Sequence, residues 1–95
     1  MRRLLIAGLL TLDGAYRLDD QVALRPEPFG ALAYHYGNRR LTFLRSPDMV
    51  RVVEGLATAG SVAEALKEAG IAPRRWPSFV SALTELAASG VIRAR

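Results

Sequence analysis

Phe29-Gly30-Ala31-Leu32-Ala33-Tyr34-His35-Tyr36, then Gly37-Asn38, then Arg39-Arg40-Leu41-Thr42-Phe43-Leu44-Arg45 reads as two strands joined by a tight turn. The first run is apolar and aromatic on both faces. Gly37 and Asn38 both tolerate positive φ, which a hairpin turn needs. The second run returns with alternating polarity and predicts a strand over residues 39–45. This hairpin places an antiparallel sheet in the first half of the chain.

Toward the N-terminus, Val22-Ala23-Leu24-Arg25 predicts a further short strand, which Pro26 and Pro28 confine to an edge or a bend. Residues 1–20 are weakly patterned, with turns at Asp13-Gly14 and Asp19-Asp20. They are read as an N-terminal apolar segment ahead of one domain over residues 21–95.

Beyond Arg45 the hydrophobic period changes. Ser46 is an N-cap and Pro47 occupies the first helical position. Met49, Val50, Val53, Leu56 and Ala57 then recur at helical spacing, up to Gly60. Ser61-Val62-Ala63-Glu64 is a capping box. It opens a second helix with the stripe Val62, Ala65, Leu66 and Ala69, ended by Gly70. A third helix lies within Arg74–Ser89, regular from Pro77, with the stripe Phe79, Val80, Leu83, Leu86 and Ala87. Gly90 closes it, and Val91-Ile92 is a short apolar tail. The order is two or three antiparallel strands followed by three helices. That predicts a small α+β domain of winged-helix character.

Composition excludes several classes of function. Ninety-five residues make one domain with no room for a cleft between lobes. The chain has no cysteine, so disulfides, thiol nucleophiles and thiolate metal sites are out. His35 is the single histidine and lies on a strand between two tyrosines, without the partners a catalytic base requires. The glycines are scattered as turn and cap residues rather than gathered in a phosphate loop. A non-enzyme without cofactor or metal is expected. The start, Met1 to Leu12, carries two arginines and an apolar run. It lacks a small-residue cleavage motif and is far short of the roughly 20 residues that span a bilayer. A cytoplasmic protein is therefore expected.

The net charge is +4, and arginine supplies all the cations except Lys67. Arg39, Arg40 and Arg45 flank the returning strand, while Arg74 and Arg75 precede the third helix. If strand and helix lie side by side, five guanidinium groups border one groove. Two ligands suit such a groove, against the plainer possibility of ordinary solubilising charge. An extended peptide can add to an open sheet edge, gaining main-chain hydrogen bonds while alternate side chains enter the groove. Alternatively, helix 61–69, the Gly70 turn and helix 74–89 resemble a helix-turn-helix that binds DNA. Its recognition face would show Ser78, Ser81, Thr84 and Glu85, which is poor in the donors a major-groove reader uses. The peptide ranks first.

The stretches Tyr16-Arg17-Leu18, Val22 to Leu32, Tyr34-His35-Tyr36-Gly37 and Arg39 to Leu44 resemble the mycofactocin-system peptide chaperones, the MftB family of PqqD-like precursor-peptide recognition elements. The likeness runs from about Tyr16 to Ile92. It implies a winged-helix module that binds the glutamate-rich leader of a ribosomally made precursor. The leader is then delivered to a radical S-adenosylmethionine maturase, which carries the cofactor and clusters. It further implies that the leader adds as a strand to Arg39–Arg45, with the third helix as the other wall. Leu41 to Leu44 would hold it through their backbone. Leu41 and Phe43 would pack on the helices, and Arg40, Thr42 and Arg74 or Arg75 would read its side chains. Phe79 and Leu83 would form an apolar floor. The expected state is a monomer or a strand-swapped dimer.

Overall fold

The computed structural model describes residues 10–95; most of the apolar N-terminal run lies outside the described residues. Five strands and three helices follow one another as β1 (Tyr16–Leu18), β2 (Val22–Glu27), β3 (Gly30–His35), β4 (Leu41–Leu44), α1 (Pro47–Gly55), α2 (Val62–Glu68), α3 (Trp76–Ala88) and β5 (Ile92–Ala94). A 3₁₀ turn, Pro73–Arg75, leads into α3. The α+β class stands as expected: an antiparallel sheet ordered β2-β3-β4 comes first and three helices follow. A second, two-stranded sheet pairs β1 with β5, which joins the two ends of the described chain. Sequence alone reads Val91-Ile92 only as an apolar tail. β5 exists because β1 supplies its hydrogen-bonding partner from far away in sequence.

The helix starts form as their caps dictate. The Ser46 hydroxyl accepts from the Met49 N–H (3.1 Å) and the Ser61 hydroxyl from the Glu64 N–H (3.1 Å). The Glu64 carboxylate reaches back past the cap and accepts from the Gly60 N–H at 2.9 Å, one residue before the Ser61 N–H that a capping box would use. Gly70 and Gly90 both sit at positive φ, 78° and 85°, just past α2 and α3. α1 stops at Gly55, short of the expected Gly60, and Leu56 continues into a turn rather than a further helical repeat.

The β strands differ from expectation in three places. β2 runs through Pro26 to Glu27, which is allowed because β2 is an edge strand and Pro26 needs no outward donor. Pro28 and Phe29 then form a turn, so Phe29 leaves the strand. Between β3 and β4 the positive φ falls on Arg39 (64°), not on Gly37 or Asn38. The His35 ring explains this. Its Nδ1 accepts from the N–H groups of both Gly37 (3.0 Å) and Asn38 (3.2 Å), which folds them inward. The loop closes one residue later, where the Arg39 N–H donates to the His35 carbonyl (2.7 Å). His35 is thus a turn-former.

The core lies between the inner face of the three-stranded sheet and the helices. Ala31 and Ala33 on β3 are each 1% exposed, and their small side chains let α1 approach. Val52, Leu56, Leu66 and Leu83 fill the centre. Leu10 also joins this core, so burial reaches back into the N-terminal segment.

Candidate functional site

β4 pairs with β3 on one side, and no other strand among the described residues pairs with it. The register aligns Tyr34 with Leu41, Leu32 with Phe43, Ala33 with Thr42 and Ala31 with Leu44. The His35 N–H donates to the Arg40 carbonyl at 3.0 Å. In an antiparallel ladder, bonded and non-bonded pairs alternate. Thr42 and Leu44 therefore turn their N–H and C=O toward β3. Leu41 and Phe43 turn theirs toward the open edge, leaving two donors and two acceptors in a row.

Side chains follow the opposite logic to that expected. Leu41 and Phe43 are 58% and 53% exposed, while Leu44 is 2% exposed. It is Thr42 and Leu44 that face the helices, and Leu41 and Phe43 project from the outer face of the sheet. The cause is β3. Ala31 and Ala33 are its helix-facing residues, and their cross-strand partners must share that face. β4 carries apolar residues on both faces, so alternation alone does not determine its orientation.

Between β4 and α3 lies an open groove of about 440 Å³. Leu44, Met49, Ala82 and Leu86 give it apolar walls, with Thr42, Phe43, Arg45, Glu85 and Ser89 around them. Ala82 and Ser89 are the small residues that keep it open. Of the helix residues expected as its floor, neither lines it: Phe79 is 5% and Leu83 0% exposed, both committed to the core. The lining residues Ala82, Glu85 and Ser89 recur every three or four positions, one helical row beside the core stripe, and Leu86 of that stripe joins them. That spacing is the signal in the sequence that points to them.

Of the five arginines, one lines this groove among the described residues. Arg45 lines the groove and makes no ion pair among the described residues. Arg39 and Arg40 are exposed at the β3–β4 turn, beside the end of α3 that Gly90 closes. Arg74 and Arg75 lie in the 3₁₀ turn at the other end of α3. Arg75 is committed elsewhere. Its Nη1 donates to the Asp48 carboxylate (3.1 Å) and its guanidinium sits 5.1 Å from the centre of the Phe79 ring. Arg75, and then Arg51, hold the Asp48 carboxyl below its usual value through side-chain hydrogen bonds. Among the described residues, no group of acidic residues and histidine is gathered as a metal site. No helix there is long and apolar enough to cross a membrane.

Fold and site together define a small α+β domain that, among the described residues, has an unpaired sheet edge above an apolar groove. Comparison with known proteins gives the particular family. The sequence model of the peptide chaperone MftB family matches residues 15–93, and the chain belongs to that family. It is 42% identical over 86 residues to the peptide chaperone MftB of Mycobacterium ulcerans, covering 90% of this chain and 79% of that one. It is 44% identical over 80 residues to the peptide chaperone MftB of Mycolicibacterium smegmatis, covering 84% and 78%. Both relatives, like the family, are named as peptide chaperones. No solved structure matches the chain significantly.

Proposed function

We propose that this chain binds the leader of a ribosomally synthesised precursor peptide, of the mycofactocin type, by strand addition to β4. It then presents that peptide to a radical S-adenosylmethionine maturase. The observation that carries this reading is the open edge of β4, with the Leu41 and Phe43 backbone facing out beside an apolar groove. An added strand gains main-chain hydrogen bonds there, and its alternate side chains enter the groove toward Leu44, Met49 and Leu86. Arg45 favours a carboxylate at the rim, and Glu85 on the facing helix restricts where that carboxylate lies. Family membership supports a peptide as the ligand. Tethering the leader raises the local concentration of the segment to be modified, to the millimolar range for a short flexible connection.

Calorimetric titration with a mycofactocin-type precursor peptide tests this, with duplex DNA as the parallel ligand. Saturable binding to the peptide alone, of about micromolar strength, supports it. Salt-sensitive binding to DNA alone overturns it in favour of a nucleic-acid-binding regulator.

A further inference from the structure

The face of the β2-β3-β4 sheet turned away from the helices is apolar and open. Two cross-strand rows build it: Ala23–Tyr34–Leu41 and Arg25–Leu32–Phe43. The Phe29 and Phe43 rings lie 5.6 Å apart at one end, and Tyr34 meets Tyr36 edge to face at 5.0 Å at the other. Phe29, Tyr36, Leu41 and Phe43 are 41–60% exposed, and a groove of about 380 Å³ runs between Arg25, Leu32, Tyr36 and Leu41. An apolar face of this kind on so small a domain marks an interaction surface.

We propose that this outer sheet face docks a second protein, one presenting an apolar patch bordered by carboxylates, and that a peptide added to β4 completes the docking surface. Two observations select that occupant. The first is continuity. A strand added at β4 alternates as β4 does, so the side chains that do not enter the groove lie beside Leu41 and Phe43 on this same face. The second is charge. The carboxylate on this face, Glu27, is paired with Arg25 at 3.0 Å, while Arg39 and Arg40 stand exposed at the β3–β4 turn on its margin. A second copy of the chain would bring the same arginine margin against itself. A partner edged with carboxylates meets it favourably.

The inference rests on the peptide binding proposed above, in which the second protein is the maturase. The test measures binding of the intact chain to the purified maturase, with and without precursor peptide. The wild type is compared with the double variant Arg25→Glu/Tyr36→Glu, whose side chains lie away from the β4–α3 groove. The expected result has three parts. Peptide tightens wild-type binding to the maturase several-fold, the double variant loses at least tenfold in maturase affinity, and its affinity for the peptide is unchanged. Unchanged maturase affinity in a variant that still binds peptide overturns the inference and leaves the peptide reading standing. A wild type that binds maturase equally well with and without a bound peptide overturns the completed surface. If the wild type fails to bind peptide at all, the peptide reading and this inference fall together. A wild-type dimer that the double variant dissociates, seen by light scattering, reassigns the face to self-association and also overturns it.

Discussion

Phe43→Pro separates strand addition from every other way of using the groove. Phe43 sits at a non-bonded position of the β3–β4 ladder, with its N–H facing the open edge. Proline there takes nothing from the ladder, and proline is tolerated on edge strands when the missing donor faces outward. Thr42, which precedes it, is already extended, as a residue before proline prefers. The fold therefore loses little. An arriving peptide loses one of two outward donors, a net effect of about 0.5–1.5 kcal/mol, or roughly two- to tenfold in affinity. The proline ring also occupies the space where a strand must approach to about 4.8 Å, so neighbouring bonds fail too and the loss exceeds tenfold. Phe43→Ala removes the same aromatic side chain but keeps the N–H, and isolates the backbone effect. Thr42→Pro is the opposite control. It breaks a ladder bond to β3, costs about 1–3 kcal/mol, and lowers the melting midpoint by about 4–8 °C for each kcal/mol. The assay is calorimetric titration with the precursor peptide beside thermal melting. If Phe43→Pro binds as Phe43→Ala does, the peptide does not add as a strand at β4.

Gly30→Ala should disrupt the β3–β4 hairpin, because a Cβ there would run into the Leu44 carbonyl oxygen. Loss of the cooperative melt, or a fall in the midpoint beyond about 10 °C, checks it, on the order of 2 kcal/mol or more. Leu86→Ala should cost about 2–5 kcal/mol by opening a cavity beneath the groove, read from denaturant unfolding. Asp48→Asn should lower stability at neutral pH by releasing Arg75 and Arg51. The folded-state value of Asp48 is depressed, so its contribution is present above the ordinary carboxylate value of about 4 and fades as pH falls through the lower folded value. Melting curves of wild type and variant should accordingly converge in acid.

Local signals carry much of this fold. Ser46-Pro47, Ser61 with Glu64, Gly70 and Gly90 each act within a few residues, and each stands at the boundary its chemistry marks. What escapes the sequence depends on distant partners. β1 and β5 are three residues each, too short for a period to show, and they exist because they pair with one another. The groove is legible as strand beside helix, but not in its lining. Phe79 and Leu83 sit on the side of the third helix stripe that faces the core, while Leu86 of the same stripe reaches both core and groove. A groove needs small residues beside that stripe, which is where Ala82 and Ser89 stand. Of the five arginines expected around one groove, Arg45 is the one that lines it among the described residues, because sequence gives charge without reach. Asp48, 27 positions before Arg75, holds that guanidinium at the far end of α3.

The arginines around β4 also bear on why an open edge persists. Natural edges are commonly blunted with charge to prevent pairing with copies of themselves. If two β4 strands paired antiparallel about Thr42, the register that sets the outward groups of Leu41 and Phe43 against each other, Arg39 of one would come beside Arg45 of the other, twice. Like charges directly opposite destabilise a strand pair by a few tenths to about 1 kcal/mol each. The same arrangement favours an incoming strand that carries carboxylates at those positions. Refusing a copy and accepting an acidic peptide are then one property of the edge, not rival explanations of it. Arg45→Glu separates them by sign. It should weaken binding of a glutamate-rich precursor and flatten its salt dependence. It should also set a carboxylate beside Arg39 in both halves of a paired edge, so that sedimentation shows self-association rising with concentration where the wild type does not. A variant that loses peptide affinity yet stays monomeric at every concentration would mean that Arg45 acts on the peptide alone, and that something other than charge keeps β4 from its own kind.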